Sequence, residues 1–135
     1  MVDAFLGKKY KLAQSENFDE FMKALGVGFA TRNAGKLVSP VVELTKSGDS
    51  YTFSSNSSFK KFAFTFTNGK EFDQETPDGR MVKATINVDG NTLHEIQKDD
   101  KGDSTIIDRI FSDDELKMEL KFGDVSATRL YKIQE

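Results

Sequence analysis

Glu115-Leu116-Lys117-Met118-Glu119-Leu120-Lys121-Phe122, followed by Gly123-Asp124 and then Val125-Ser126-Ala127-Thr128-Arg129-Leu130-Tyr131-Lys132-Ile133, is the stretch that decides the fold. In its first half Leu116, Met118, Leu120 and Phe122 share one face, and Glu115, Lys117, Glu119 and Lys121 share the other. That is the period of a strand with one side in a core and the other in water. Gly123-Asp124 is a turn pair, and beyond it Val125, Ala127, Arg129, Tyr131 and Ile133 again fall on one face. The two halves read as an antiparallel pair with an arginine in its apolar row.

The same rhythm runs back along the chain. From Val41 onward, turn signals recur at Ser47-Gly48-Asp49, Asn56-Ser57-Ser58, Asn68-Gly69, Pro77-Asp78-Gly79, Asp89-Gly90, Lys101-Gly102 and Asp113-Asp114. An interval of about 8–12 residues is what an antiparallel meander requires. Asn68-Gly69 and Asp89-Gly90 are the strongest hairpin signals, because both pairs tolerate the positive φ of a type I′ turn. With a first strand near Lys8 to Ala13, the count reaches about ten strands. A sheet of that length closes more readily than it stays open, and closure removes its edges. The expected class is all-β: a ten-stranded antiparallel up-and-down β-barrel in one domain, residues 1–135.

One segment interrupts the meander. Phe18, Phe21, Met22 and Leu25 follow helical spacing, with Asn17 placed as an N-cap, Glu20 as its capping-box partner and Gly26 as the stop. A second short helix is expected from Phe29 to Leu37, ended by Pro40. The pair, at roughly residues 17–38, is positioned to form a helix-turn-helix lid over one barrel mouth.

Composition narrows the function classes. Nineteen Lys and Arg against 22 Asp and Glu give a net charge of −3, which offers no broad basic face to nucleic acid. With no cysteine, thiolate metal sites and cysteine nucleophiles are excluded. No apolar run approaches the ~18 residues of a membrane span, and the N-terminal residues lack a basic start followed by an apolar stretch. A cytoplasmic location is therefore expected. Asn56-Ser57-Ser58 fits the glycosylation pattern but reads as an unmodified turn. His94 is the single histidine and reads as an ordinary strand residue, so a catalytic triad or histidine metal site has little to stand on. Asp73, Glu75 and Asp78 read as turn carboxylates, and Gly26-Val27-Gly28 as helix punctuation rather than a dinucleotide fingerprint. No cofactor, no metal and no enzymatic activity are expected.

The residues that break the pattern carry the functional signal. Arg109 shares its face with Ile107 and Phe111, and Arg129 with Ala127 and Tyr131. Arginine keeps its proton inside a protein, so an inward arginine requires an anion or water to answer it. A carboxylate suits the guanidinium fork, Tyr131 can add a hydroxyl donor, and Met118, Leu120 and the phenylalanines supply an apolar lining. Together they call for a ligand with an acidic head and a long apolar body. Without ligand the two arginines are expected to repel each other and lack a full counterion, so that replacing Arg109 by Leu would stabilise the empty barrel. Phe59, at the Asn56-Ser57-Ser58 turn, is placed as an exposed gate.

Specific motifs then resemble a known family. Lys8-Lys9-Tyr10-Lys11-Leu12, Asn17 through Gly28, and Thr128-Arg129-Leu130-Tyr131 closely resemble signatures of the intracellular lipid-binding proteins, and most of all the fatty acid-binding proteins. Ser57-Ser58-Phe59-Lys60, Glu71-Phe72-Asp73 and Asp78-Gly79-Arg80 are in register with the same family. The opening Met1 to Gly7 and the run Gly26 to Arg32 are most like the heart or muscle type. Tyr10 stands where many members have Trp, and one residue is added near Lys8-Lys9.

The resemblance implies a lipocalin-like (calycin) barrel with a helix-turn-helix lid, acting as a monomeric cytoplasmic carrier of one long-chain fatty acid. It further implies that Arg109, Arg129 and Tyr131 hold the carboxylate. Phe18, Met22, Leu25, Pro40, Phe59, Pro77 and Asp78 would border the portal and pocket, with Ile107, Met118 and Leu120 along the acyl chain. A retinoic acid carrier is the alternative, since such carriers resemble this chain at both arginines and the tyrosine. Lys23, Arg32 and Lys36 give the lid local positive charge, which suggests transient docking on anionic membranes.

Overall fold

Alternation along the sequence becomes a single ten-stranded antiparallel sheet in the computed structural model, which describes residues 1–134; residue 135, the last of the domain read from the sequence, lies outside the described residues. The strands are β1 (Lys9–Glu16), β2 (Val41–Ser47), β3 (Ser50–Asn56), β4 (Lys61–Thr67), β5 (Phe72–Glu75), β6 (Met81–Asp89), β7 (Thr92–Lys98), β8 (Ser104–Phe111), β9 (Glu115–Phe122) and β10 (Val125–Ile133). Their order in the sheet is β4-β3-β2-β1-β10-β9-β8-β7-β6-β5, each paired antiparallel with the next, so β1 and β10 join the two ends of the chain. The result is a nearly closed β-barrel under a two-helix lid, α1 (Phe18–Ala24) and α2 (Phe29–Lys36). Neither helix is long and apolar enough to cross a membrane.

Closure is incomplete, which corrects the expectation that the barrel removes its edges. β4 and β5 do not pair, and side chains rather than a hydrogen-bond ladder span the gap: the Phe64 and Phe66 rings lie 6.0 and 6.5 Å from the Phe72 ring. Asn68-Gly69 therefore joins two unpaired strands and is not a hairpin. Its groups reach β6 instead, with Gly69 N–H donating to the Ile86 carbonyl and Asn68 Oδ1 accepting from Val88 N–H, both at 2.8 Å. Asp89-Gly90 does sit between paired strands, Asp89 facing Thr92.

The lid departs from its expected capping. Asn17 has φ +60° and its side chain caps nothing in α1; its amide donates to the Ser126 carbonyl at 2.9 Å and ties the helix start to β10. No capping box with Glu20 forms, because a left-handed Asn17 aims its side chain away from the helix. The stop at Gly26 is as read: at φ +87° it lets its own N–H reach the Lys23 carbonyl and Val27 N–H reach Met22, both at 3.0 Å, which satisfies the last turn. β1 runs three residues further than expected, to Glu16, across a bulge between Leu12 and Gln14. It pairs with β2 only over Lys9–Lys11, and the lid enters where that pairing ends.

Two apolar clusters fill the ends. At the end away from the lid, Val2 and Phe5 of a 3-10 turn (Val2–Phe5) tuck against Tyr10, Leu93, Phe111 and Leu116, with Val2 N–H donating to the Gly90 carbonyl at 3.0 Å. Under the lid, Phe21 packs with Ile107, Leu120 and Ala127. On β9 the two faces are as read, with Leu116 and Leu120 buried and Lys117, Glu119 and Lys121 exposed.

Candidate functional site: the barrel cavity

Between the clusters lies a cavity of about 220 Å³. Its head region is a row set by strand register, since Arg109 on β8 and Arg129 on β10 both face Met118 on β9. With neighbouring strands ~4.8 Å apart, the two arginine backbones stand roughly 10 Å from each other. Tyr131 follows two residues after Arg129 on the same face, its hydroxyl 3.9 Å from Met118 Sδ. All three head-group candidates line the cavity.

The two arginines differ in what answers them. Arg129 lies with its guanidinium 4.0 Å from the Phe18 ring centroid and donates from Nε to Ser15 Oγ at 3.2 Å. Among the described residues no carboxylate pairs with it. Arg109 is 4% exposed and its Nη1 donates to Glu95 Oε1 at 2.6 Å. Phe53 and Phe64 flank its guanidinium at 4.7 and 5.4 Å. Glu95 is fully buried, and its second oxygen accepts from Gln97 Nε2 at 2.7 Å, which also reaches Gln74 Oε1 at 3.1 Å. The expected pair of uncompensated arginines is thus one arginine without a carboxylate and one held in an ion pair. The signal for Glu95 was present in the alternation Leu93, Glu95, Gln97 on β7, but Ile96 on the opposite face obscured which side was inward. Gln74, Thr76, Gln97 and Thr105 add a polar wall that sequence reasoning also missed.

The remaining candidates line the same space. Ile107, Met118 and Leu120 form the wall, and Phe18, Met22 and Leu25 close it from α1 and its C-terminal end. At the rim, Phe59 is 59% exposed in a turn whose Phe59 and Lys60 N–H groups both donate to Ser57 Oγ. Pro40 lines the cavity and its carbonyl accepts from Leu12 N–H at 3.0 Å. Pro77 and Asp78 sit in the facing turn, and Lys60 Nζ crosses to the Pro77 carbonyl at 2.6 Å. Burial works to raise the Asp78 pKa, but Arg80 at 2.6 Å and Thr76 at 2.8 Å outweigh it and hold the carboxyl below its usual range. His94 faces outward beside Asp108, and no group of three or more metal-ligating side chains occurs among the described residues.

Comparison with known proteins fits this geometry. Residues 6–134 match the model of the lipocalin / cytosolic fatty-acid binding protein family. A muscle fatty acid-binding protein of Schistocerca gregaria is 49% identical, the alignment covering 99% of this chain and all of that one. A brain fatty acid-binding protein of Drosophila melanogaster superposes with a TM-score of 0.89 at 53% identity over 95% of this chain and 98% of that one. A Schistosoma mansoni fatty acid-binding protein in complex with arachidonic acid gives 0.93 at 41% identity over 99% and 98%. A match across almost the whole chain, joined to the same barrel and lid, places this protein in the lipocalin / cytosolic fatty-acid binding protein family, close to its muscle-type members.

Proposed function

We propose that this chain is a monomeric, non-catalytic carrier that encloses one long-chain fatty acid in its barrel and moves it through the cytoplasm. The carboxylate is held at Arg129 and Tyr131 with Arg109 behind them; the tail lies along Ile107, Met118 and Leu120 and leaves past Phe59, Pro77, Asp78 and Pro40. The observation that carries this reading is Arg129, a charged group facing an apolar cavity with no carboxylate of its own among the described residues. The fatty-acid complex of the Schistosoma mansoni relative supports the ligand class.

Calorimetric titration with oleate, palmitate and retinoic acid tests it. One fatty acid per chain, bound more tightly than retinoic acid, is expected; tighter retinoic acid binding would make the chain a retinoid carrier instead. Delivery by contact with anionic membranes through the lid belongs to the same proposal. Phe29 and Leu37 are 69% and 82% exposed in the lid segment, which also carries Lys23 and Lys36. Arg32 and Lys36 each lie within 3.3 Å of Asp19, which reduces the charge free to meet a membrane. Transfer rates to vesicles should therefore respond to Lys23→Glu and to anionic lipid content; indifference to both would remove the docking step.

A further inference from the structure

Arg109 already has an anion, and Glu95 has no part in the carrier reading. Glu95 stands behind the cavity wall that Arg109, Gln97 and Gln74 form. Its two oxygens are committed, one to Arg109 Nη1 at 2.6 Å and one to Gln97 Nε2 at 2.7 Å. Phe53 and Phe64 cover the guanidinium.

We propose that Glu95 is a specificity-determining residue: by holding Arg109 in a neutral pair within the barrel wall, it limits how strongly the cavity prefers a lipid carboxylate over an uncharged head on the same chain. A ligand carboxylate that turns to Arg109 meets a second carboxylate already on that guanidinium, and like charges repel strongly where water is excluded. Glu95 competes from a fixed position and surrenders no translational freedom, whereas the ligand does. Arg129, across Met118 from Arg109, is reached without disturbing the pair. Acid selectivity therefore rests mainly on Arg129 and Tyr131, and Arg109 is a reserve that Glu95 withholds.

The inference rests on the carrier reading, and the ratio of oleate to methyl oleate affinity in the full-length chain tests it. Removing the charge with Glu95→Gln should raise that ratio by roughly tenfold or more, the equivalent of one added charge-assisted hydrogen bond. Adding Arg109→Gln to that variant should abolish the gain. An unchanged ratio in a folded Glu95→Gln protein, or a gain that persists without Arg109, would overturn the proposal. If Glu95→Gln does not fold unaided, oleate should restore its far-ultraviolet circular dichroism at concentrations where methyl oleate does not, because only the acid replaces the missing anion; equal rescue by both would overturn it. Failure of the native chain to bind oleate at all would instead strike the carrier reading, and this inference with it.

Discussion

At the scale of single residues, the contrast between Arg109 and Arg129 organises the interior. Breaking a buried ion pair from one side leaves a charge in low dielectric and costs about 3–5 kcal/mol, whereas replacing both partners with apolar groups is often neutral. Arg109→Leu should thus destabilise the ligand-free protein by about that amount, the reverse of what uncompensated arginines implied. Glu95→Leu added to it should recover most of the loss, and chemical denaturation of the two variants checks both statements. Arg129 has a different role and a different expected cost. A charged hydrogen bond contributes about 1.5–3 kcal/mol, while each buried methylene contributes about 0.8 kcal/mol and a long acyl chain has many. Arg129→Gln should weaken oleate roughly tenfold and leave methyl oleate almost unaffected, as competition with a fluorescent fatty acid would measure.

At the scale of elements, the lid and the two rim turns control passage. Asp19 ties α1 to α2 through Arg32 at 3.2 Å and Lys36 at 3.3 Å. Burial works to raise its pKa, but Lys36 and Arg32 together bring it below the usual carboxylate value. A carboxyl with a lowered folded-state pKa supports the fold above its ordinary value, and that support is lost as pH falls through the lowered one. The helix pairing is therefore intact at neutral pH and released only below about pH 4. Asp19→Asn imitates the released state at pH 7, and oleate transfer to vesicles should become faster while the melting temperature barely moves; an unchanged rate would separate this pair from gating. On the opposite rim, Lys60 reaching the Pro77 carbonyl is a strap beside the β4–β5 gap. Lys60→Met should speed oleate release in stopped-flow measurements with little change in affinity.

At the scale of the whole molecule, a largely apolar cavity with charged and polar groups on part of its wall exchanges stability for a place to bind. Anything that binds only the folded state stabilises it by mass action, by about 2.7 kcal/mol when free ligand is a hundred times its dissociation constant. Oleate should raise the melting temperature, and the rise should continue with concentration beyond saturation. Acid sensitivity has a global component too. Asp78, held below its usual range despite burial, contributes to stability above about pH 4 and loses that contribution as pH falls through its lowered value. Asp78→Asn should flatten the acid limb of a denaturation-against-pH curve, leaving the neutral region lower but less dependent on pH.

What the sequence determined by itself was governed by local period and by those turns whose flanking strands do pair. Alternation in Glu115–Phe122 and Val125–Ile133 specified two strands and their inward faces, and with them the position of Arg129 beside Tyr131. Helical spacing with Gly26 specified α1 and its end. Those signals are local because a strand's side-chain period and a turn's φ are set within a few residues. The tertiary structure alone decided which distant groups meet. Glu95 and Arg109 become an ion pair because β7 and β8 lie side by side in a register that opposes Glu95 to Ile107, two residues from Arg109. Asn17 gives up capping because β10 brings the Ser126 carbonyl within reach. Asn68-Gly69 carries every local mark of a hairpin yet spans a gap, since whether two strands pair depends on how far the sheet must curve to close and on what its side chains already fill. Turn residues permit a pairing; the balance between backbone hydrogen bonds and the packing of Phe64, Phe66 and Phe72 across the β4–β5 gap is what decides it.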